Sequence, residues 1–389
     1  MSIVKGYAVI VIAYNRDKSL ARLLDSLGRA YYPKELSVPL IISIDKSDNE
    51  EVVKIAEKYE WKHGEKSVIL HKENLGLKSH VLLCGDISQD YEGIIVLEDD
   101  LFVSKGFYMY ALEALRFTDN DGSVGGVSLY NHLLNVHVRE PFYALDDGYD
   151  NYYFKFASSW GQAYTKSQWQ EFRSWYDKNK DIEIAGKDVP LNVASWSDKS
   201  WLKYYIKYLI DTDKYFLYPR VSYTTNFGDA GTHAVDADND LQVPLAGVRK
   251  FNQVSFCFSR LDESMAVYDA FFENTLLKDI VNRETNGNGN ASVVIDLYGY
   301  RTEYSDADYI FTSAALPYKV IRSYGRNMRP VDANIFEEVE GKELFLYDVA
   351  VNDNRPKIND TQRYLYNYRA IKFREMKSIF FDRAKKIFK

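Results

Sequence analysis

The chain has 389 residues, of which 46% are hydrophobic and 27% charged, and its formal net charge is −7. This length suffices for one large domain or two ordinary ones, and the composition is typical of a soluble globular protein. The negative charge argues against general nucleic-acid binding. The two cysteines, Cys84 and Cys257, exclude a disulfide framework and fit a reducing cytoplasm.

Residues 1–6 have no charged start followed by a long apolar core, so a secretory signal is not expected. No run approaches the ~20 apolar residues that a membrane span needs. The sequence therefore predicts a cytoplasmic protein.

The first third of the chain alternates two hydrophobic patterns. Continuous apolar runs predict buried strands, and apolar residues three or four positions apart predict helices. The alternation indicates an α/β domain with a mostly parallel, doubly wound sheet and helices on both faces. The predicted elements are a strand at 7–13, a helix at 20–28, a strand at 38–44, a helix at 52–59, a strand at 67–70, a helix from about 76, a strand at 93–97, a helix at 105–117 and a strand at 124–129.

The pattern is less regular after residue 130. Helices are predicted at 167–176, from Trp196 onward and at 261–277, and strands at 216–218, 293–297 and 318–322. Acidic and polar residues at 236–240 suggest a boundary between a catalytic domain, 1–235, and a C-terminal α+β extension, 236–389. The extension ends in a basic amphipathic helix, which fits either an anionic membrane surface or docking on its own domain.

Three acids, Glu98, Asp99 and Asp100, directly follow the strand predicted at 93–97. Ligands of open α/β sheets bind outside the carboxyl ends of the strands. Adjacent carboxylates repel one another, and a divalent cation such as Mg²⁺ or Mn²⁺ relieves that repulsion. A solvated acidic turn is the alternative interpretation.

Five more side chains are candidates for the same site. Arg16 follows the first strand and could meet a phosphate or a base, although loop arginines are usually solvated. Asp45 ends the second strand and could accept from a nucleotide, or serve as a turn or N-cap residue. Asp198 is a candidate general base or a helix cap, His233 a metal or phosphate ligand, and Trp160 a sugar platform or a core residue.

Seven short motifs occur in an order that resembles a GT-A glycosyltransferase. The similarity is strongest to the bacterial family 2-type sugar transferases of polysaccharide assembly, and the Glu-Asp-Asp form also resembles the N-acetylglucosaminyltransferase I group. It spans roughly residues 5–235. The motifs are Ala13-Tyr14-Asn15-Arg16, Ile44-Asp45, Asn74-Leu75-Gly76, Leu97-Glu98-Asp99-Asp100-Leu101, Ser159-Trp160-Gly161, Trp196-Ser197-Asp198 and Gly231-Thr232-His233.

The resemblance implies a role for each candidate. Asp100 would be the principal metal ligand, and His233 would close on the donor phosphates and complete the metal site. The other roles would be ribose and donor-sugar contacts for Glu98 and Asp99, base contacts for Arg16 and Asp45, a donor contact for Trp160, and the general base of an inverting displacement for Asp198. The N-acetylglucosaminyltransferase I group has adjacent acids between close tryptophans, whereas Trp196 and Trp201 flank a single acid here, so Asp188 is the reserve base.

The sequence thus predicts a metal-dependent, inverting glycosyltransferase that uses a nucleotide sugar, with a UDP-sugar as the expected donor. The expected acceptor is a glycan or a lipid-linked oligosaccharide of capsule or O-antigen assembly, at the inner face of the membrane. A sugar nucleotidyltransferase would have a glycine-rich basic loop after the first strand, and residues 14–17 contain no glycine. A glycan- or nucleotide-sugar-binding module without turnover is the non-enzymatic alternative.

Overall fold

The computed structural model describes residues 5–229, 240–285 and 291–358, together with residues 376, 377, 380, 381 and 384. The chain divides into two compact units. The first is drawn from Met1–His137 and Phe142–Asn274, and the second from Val138–Pro141 and Thr275–Lys389. The predicted domain boundary between residues 235 and 236 lies outside the described residues.

The N-terminal part of the first unit alternates strands and helices as predicted. Its elements are β1 (Lys5–Ala13), α1 (Asp17–Gly28), β2 (Leu40–Ile44), α2 (Glu50–Lys58), β3 (Lys66–Leu70), α3 (Gly76–Asp86), β4 (Tyr91–Glu98), β5 (Leu101–Val103), α4 (Phe107–Thr118) and β6 (Val124–Ser128).

Shorter elements follow along the chain. They are β7 (Leu134–Asn135), β8 (Glu140–Pro141), β9 (Asn151–Phe154), β10 (Gln162–Thr165), α5 (Lys166–Asn179), α6 (Leu191–Ala194), α7 (Trp201–Asp211), β11 (Tyr215–Pro219), β12 (Thr224–Asn226), β13 (Val267–Tyr268), α8 (Leu277–Glu284), β14 (Val293–Asp296), β15 (Tyr309–Thr312), β16 (Tyr318–Tyr324), α9 (Ala333–Phe336) and β17 (Leu344–Asn352).

The first unit is organised around a mixed sheet that confirms the predicted α/β class. Among the described residues its strand order is β13-β9-β11-β6-β10-β4-β1-β2-β3. Strands β4, β1, β2 and β3 are parallel, whereas β10 runs antiparallel to both β4 and β6. The carboxyl ends of the four parallel strands therefore meet at one edge, which carries the candidate site.

Burial explains why the first strands and helices form where the apolar pattern places them. Residues 8–13 of β1 are at most 5% exposed, since both faces of the sheet are covered. Leucines 20, 23, 24 and 27 of α1 are at most 1% exposed and pack in the same core. Each such side chain contributes about 1.5–3 kcal/mol when it leaves water.

One predicted helix starts later than expected, and another helix prediction is wrong. The helix predicted from Trp196 begins at Trp201, because Ser200 is extended and its hydroxyl accepts from the Lys203 backbone N–H. Residues 261–277 are not one helix. There, Val267 and Tyr268 pair with β9, and the Asp269 carboxylate then accepts from two backbone N–H groups of the following turn.

The second unit contains a separate sheet in the order β14-β15-β17-β16. Ile310, Phe345 and Tyr347 are buried at its centre. The strands predicted at 293–297 and 318–322 are confirmed by β14 and β16. The predicted basic helix at the C-terminus lies outside the described residues apart from five positions. Within the described part of the chain, no helix is long and apolar enough to cross a membrane.

Candidate active site

The acidic triplet lies at the carboxyl end of β4, as predicted. Strand β4 ends at Glu98, Asp99 and Asp100 form a turn, and β5 starts at the next residue. Strand β1 lies beside β4 with Ile12 opposite Glu98, so the loop after β1 reaches the same turn. Arg16 of that loop donates to Asp100 Oδ2 at 2.9 Å and also to Asp99 Oδ1. The structure thus joins two motifs that lie more than 80 residues apart in the sequence.

This cluster is short of positive charge. Burial and the neighbouring Asp100 and Asp99 carboxylates raise the pKa of Glu98 to about 8, against the opposing effect of Arg16. Burial likewise raises the pKa of Asp99 to about 6, although the Arg16 guanidinium counteracts it. Burial by itself would lower the pKa of Arg16, but the two aspartates raise it above its usual value. One guanidinium therefore does not neutralise the three acids.

Asp100 has the chemistry to hold a divalent cation. Its Oδ2 accepts from Arg16, whereas its Oδ1 is buried and has no hydrogen-bond partner within the described residues. No group of three His, Cys, Asp or Glu side chains among those residues is arranged to hold a metal ion unaided. Mg²⁺ and Mn²⁺ commonly take one or two carboxylates and complete their shell with substrate phosphates and water. Asp100 fits that pattern.

Glu98 makes the stability of the fold depend on pH. Its pKa rises from 4.5 to about 8 on folding, so the folded chain binds the proton more tightly than the unfolded chain. This contribution is complete below pH 4.5 and is lost as the pH rises towards 8. Glu98→Gln should remove this pH-dependent contribution. Between pH 5 and pH 8, the free energy of unfolding of the variant should therefore rise by about 2–5 kcal/mol relative to that of the wild type.

Urea unfolding of both proteins at pH 5, 6.5 and 8 measures this difference. Glu92→Gln is the matched control, because Glu92 is exposed on the same strand and should follow the wild type at every pH. Parallel stability curves for Glu98→Gln and the wild type would contradict the pH-dependent role of Glu98.

Asp45 is buried at the carboxyl end of β2 and binds the loop before α3. Its Oδ1 accepts from the backbone N–H groups of Lys46 and Leu75, both at 2.9 Å, and its Oδ2 accepts from Gly76 at 3.1 Å. Gly76 has a φ of +73°, which favours glycine there. These contacts give Asp45 the turn and cap role that the sequence left open beside a base contact.

Asp45→Ala should therefore destabilise the fold by about 1–2 kcal/mol, because three backbone N–H groups lose their acceptor. Denaturant unfolding at pH 7 measures this loss. Asp48→Ala is the control, since Asp48 is exposed in the same loop and should cost little. Equal stabilities of the two variants would show that the Asp45 cap is energetically unimportant.

Trp160 lies level with Glu98 across the sheet. Gln162 of the antiparallel β10 pairs with Val96 of β4, and Trp160 precedes Gln162 by two residues. The indole is partly exposed and packs against Tyr130 and His132, with ring centroids 4.8 and 5.8 Å apart. Trp160 is thus partly packed against the core and partly exposed.

The loop that leads towards His233 begins beside Asp100. Strand β12 pairs with β5, and the Phe227 N–H donates to the Asp100 carbonyl at 3.1 Å. Asp229 accepts from Ser19 Oγ at 2.7 Å and forms an ion pair with Arg22 on α1. Arg22 also lies over the Phe227 ring, 3.8 Å from its centroid. His233 itself lies outside the described residues.

Asp198 lies in the turn before α7, and its side chain is 91% exposed. Its carboxylate therefore faces solvent. Lys203 is buried, and its Nζ donates to the carbonyls of Ala194 and Trp196 and to Asp198 Oδ1 at 3.2 Å. This lysine fixes the turn that presents Asp198. The reserve candidate, Asp188, is also exposed.

The structure brings Arg16, Asp99 and Asp100 into direct contact and places Trp160 level with Glu98. Among the described residues, no hydrogen bond or ion pair joins Asp45 or Asp198 to the triplet. Neither the buried Lys203 nor the Arg22–Asp229 ion pair is predicted from the sequence. A lysine within an amphipathic helix pattern carries no local sign that its ammonium is buried, and Arg22 meets its partner 207 residues further along the chain.

The comparison with known protein families is decisive for the first unit. Residues 8–165, which include the Arg16 loop, the triplet and Trp160, match the family described as Glycosyl transferase family 2. These residues form a family 2 glycosyltransferase domain. The predicted resemblance to the family 2 glycosyltransferases is confirmed over these residues. No protein of curated function matches the chain significantly.

Solved structures with similarity to this chain include TarS residues 1–349 from S. aureus, at 16% identity over 56% of this chain and 59% of that fragment, with a TM-score of 0.37. The complex of the same TarS fragment with UDP-GlcNAc gives 15% identity over 56% and 57%, with a TM-score of 0.35. The mannosyltransferase PcManGT from Pyrobaculum calidifontis, in complex with GDP-Man and Mn²⁺, gives 14% over 55% and 56%, with a TM-score of 0.34. The chain thus covers less than two thirds of each of these proteins.

Proposed function

We propose that this protein is a glycosyltransferase that moves a sugar from a UDP-sugar to a hydroxyl group of a glycan or lipid-linked acceptor, with inversion at the anomeric carbon. The observation that carries the proposal is the cluster of Arg16, Asp99 and Asp100 at the carboxyl end of β4, in which Asp100 Oδ1 is buried without a partner. This is where an open α/β sheet binds its ligand.

Asp100 would hold Mn²⁺ or Mg²⁺, with His233 as a second protein ligand. Such an ion neutralises the charge that develops on a departing nucleotide diphosphate. Arg16 already supplies one positive charge at this site. The paired N–H donors of its guanidinium can bind phosphate oxygens as well as carboxylate oxygens. When a nucleotide diphosphate binds, Arg16 would keep its contact with Asp99. Its contact with Asp100 would be replaced by one with a phosphate oxygen.

Glu98 and Asp99 would contact the ribose and the donor sugar. With its pKa near 8, Glu98 is largely protonated at pH 7 in the ligand-free site and can donate a hydrogen bond to a sugar oxygen. Trp160 would cover the apolar face of the sugar. Asp45 would hold the nucleotide base in addition to the loop before α3, since carboxylate oxygens accept more than one hydrogen bond.

Asp198 would act as the general base. It would take the proton of the acceptor hydroxyl, whose oxygen attacks the anomeric carbon as the bond to the nucleotide diphosphate breaks. Its exposure in the ligand-free chain is compatible with this role, since catalytic hydrogen bonds often form only in the substrate complex. Lys203 would position this carboxylate through its contact at 3.2 Å.

The proposed setting is the assembly of a capsule or O-antigen polysaccharide at the inner face of the cell membrane. The basic C-terminal segment, with nine lysines and arginines against two acids over residues 363–389, would give peripheral contact with anionic lipids. Transfer of a hexose or an N-acetylhexosamine fits this setting.

UDP release from a panel of UDP-glucose, UDP-galactose, UDP-GlcNAc and UDP-GalNAc, with Mn²⁺ and extracted lipid-linked acceptors, tests the proposal. Turnover with transfer of the sugar mass to the acceptor supports it. Binding without UDP release would instead indicate a binding module, and formation of a nucleotide sugar from UTP and a sugar phosphate would indicate a nucleotidyltransferase. An NMR measurement of the product anomer tests inversion, and retention would remove the general-base role from Asp198.

A further inference from the structure

The second unit contains a cavity of about 370 Å³ that has no part in the proposed transfer reaction. Small-molecule sites in proteins commonly enclose about 300–1,000 Å³. The cavity is formed by α8, the end of β16 and α9, all within this unit. Its lining residues are Ile280, Arg283, Glu284, Tyr324, Ile335, Phe336 and Glu338.

Opposite charges are balanced around this cavity. Arg322, next to the lining, donates to Glu284 and, at 2.8 Å, to Glu338, so one guanidinium fixes both carboxylates. Each carboxylate uses one oxygen in this arrangement and keeps the other for a further donor. Arg283 is exposed at the rim. Two guanidinium groups therefore offset two carboxylates, and the cavity offers a strongly charged ligand no net attraction.

Tyr324 supplies an unused polar group in the lining. The residue is 2% exposed, its ring packs against Phe311, and Arg322 lies 4.9 Å from its centroid. Its hydroxyl makes no hydrogen bond to any of the described residues. Burial raises the pKa of Tyr324 to about 12 against the opposing effect of Arg322, with smaller contributions from Glu284 and Glu338, and this keeps the hydroxyl proton in place. Because the hydroxyl has no partner among the described residues, it is available to donate a hydrogen bond to a polar occupant of the cavity.

We propose that this cavity binds a neutral saccharide. The free carboxylate oxygens would accept hydrogen bonds from sugar hydroxyls, and the Tyr324 hydroxyl and Arg283 would donate to sugar oxygens. Phe336, Ile280 and Ile335 provide apolar surface for the C–H face of a ring. Donors and acceptors together on a partly apolar, charge-balanced wall match a polyhydroxylated ligand better than an anion or a cation. The site is separate from the transfer site and does not depend on the proposed reaction.

Saturation-transfer NMR on the full chain with lactose, maltose and N,N′-diacetylchitobiose tests the site. At least one disaccharide should bind, and Tyr324→Phe and Glu284→Gln should each weaken that binding at least about fivefold, since each loses a hydrogen bond to the ligand. Tyr318→Phe, on the same strand but outside the cavity, and Glu337→Gln, which is exposed nearby, are the matched controls and should bind like the wild type.

Three outcomes would overturn the proposal. These are no binding of any of the three disaccharides, equal binding by the wild type and both cavity variants, and binding of inorganic phosphate in their place. Tyr324→Phe keeps the ring and its packing, and circular dichroism verifies that both variants are folded. UDP release by these variants should equal that of the wild type, so failure of the saccharide site is distinguishable from failure of the transfer reaction.

Discussion

Asp100→Asn should lower the rate of sugar transfer at least ~100-fold at saturating Mn²⁺, with the fold unchanged. The substitution keeps the size of the side chain and one oxygen for Arg16, but it removes the charge next to the buried, unpartnered Oδ1. Asp99 continues to pair with Arg16, so the loop after β1 should stay in place. UDP release from the preferred donor measures the loss, and Asp119→Asn, at an exposed position after α4, should retain the wild-type rate.

A direct measurement of metal binding separates a metal ligand from a residue that merely shapes the turn. Calorimetric titration of Mn²⁺ into each protein with saturating UDP should give tight binding for the wild type and at least about tenfold weaker binding for Asp100→Asn. A variant that transfers sugar at the wild-type rate, or binds Mn²⁺ equally well, would remove Asp100 from the metal site. A loss of UDP affinity without any metal would assign Asp100 to the nucleotide instead.

The fold of residues 5–128 was predictable because its elements carry their own signal. Strand β1 is apolar at successive positions, since helices cover both faces of the sheet, and α1 buries four leucines at helical spacing. In this region each predicted element matches an observed one to within a few residues. Local pattern and tertiary burial agree there, which is why pattern reading succeeds.

Prediction from local patterns fails where paired strands are far apart in the sequence. Strand β13 forms only because Val267 and Tyr268 pair with β9 more than 100 residues earlier, and the apolar residues around them resemble a helix in isolation. Strands β9 and β10 are short segments within an aromatic-rich stretch, and their pairing with β11 and β4 has no local sign. Strand propensity depends on such neighbours more than helix propensity does.

At the candidate site too, some features could be predicted from the sequence and others could not. The acids at the end of β4 and the arginine after β1 were each visible, because the ends of parallel strands attract functional residues. Their ion pair was not, since nothing in the sequence tells which of several strand-end groups will meet. Asp45 was predicted as a possible base contact, but in the structure its carboxylate accepts three backbone hydrogen bonds. The positions of these residues at strand ends could be predicted from the sequence, but their contact partners are known only from the structure.

Asp198→Asn should lower kcat by about 10²–10⁴-fold while the KM for the donor changes little. An amide cannot take the proton of the acceptor hydroxyl, yet it keeps the shape of the turn and can still accept from Lys203. UDP release at varied donor and acceptor concentrations separates kcat from KM, and calorimetry with UDP verifies that the nucleotide still binds.

Asp188→Asn is the decisive control, because Asp188 is exposed like Asp198 and is the reserve candidate for the base. If Asp188→Asn loses turnover and Asp198→Asn does not, the base is Asp188 and the Lys203 contact only shapes the turn. Lost donor binding in Asp198→Asn would make the residue part of the donor site. Lys203→Met should also lower kcat, but less than Asp198→Asn, because it releases the carboxylate from its turn without removing it. A larger loss in Lys203→Met would mean that the turn matters more than the carboxylate.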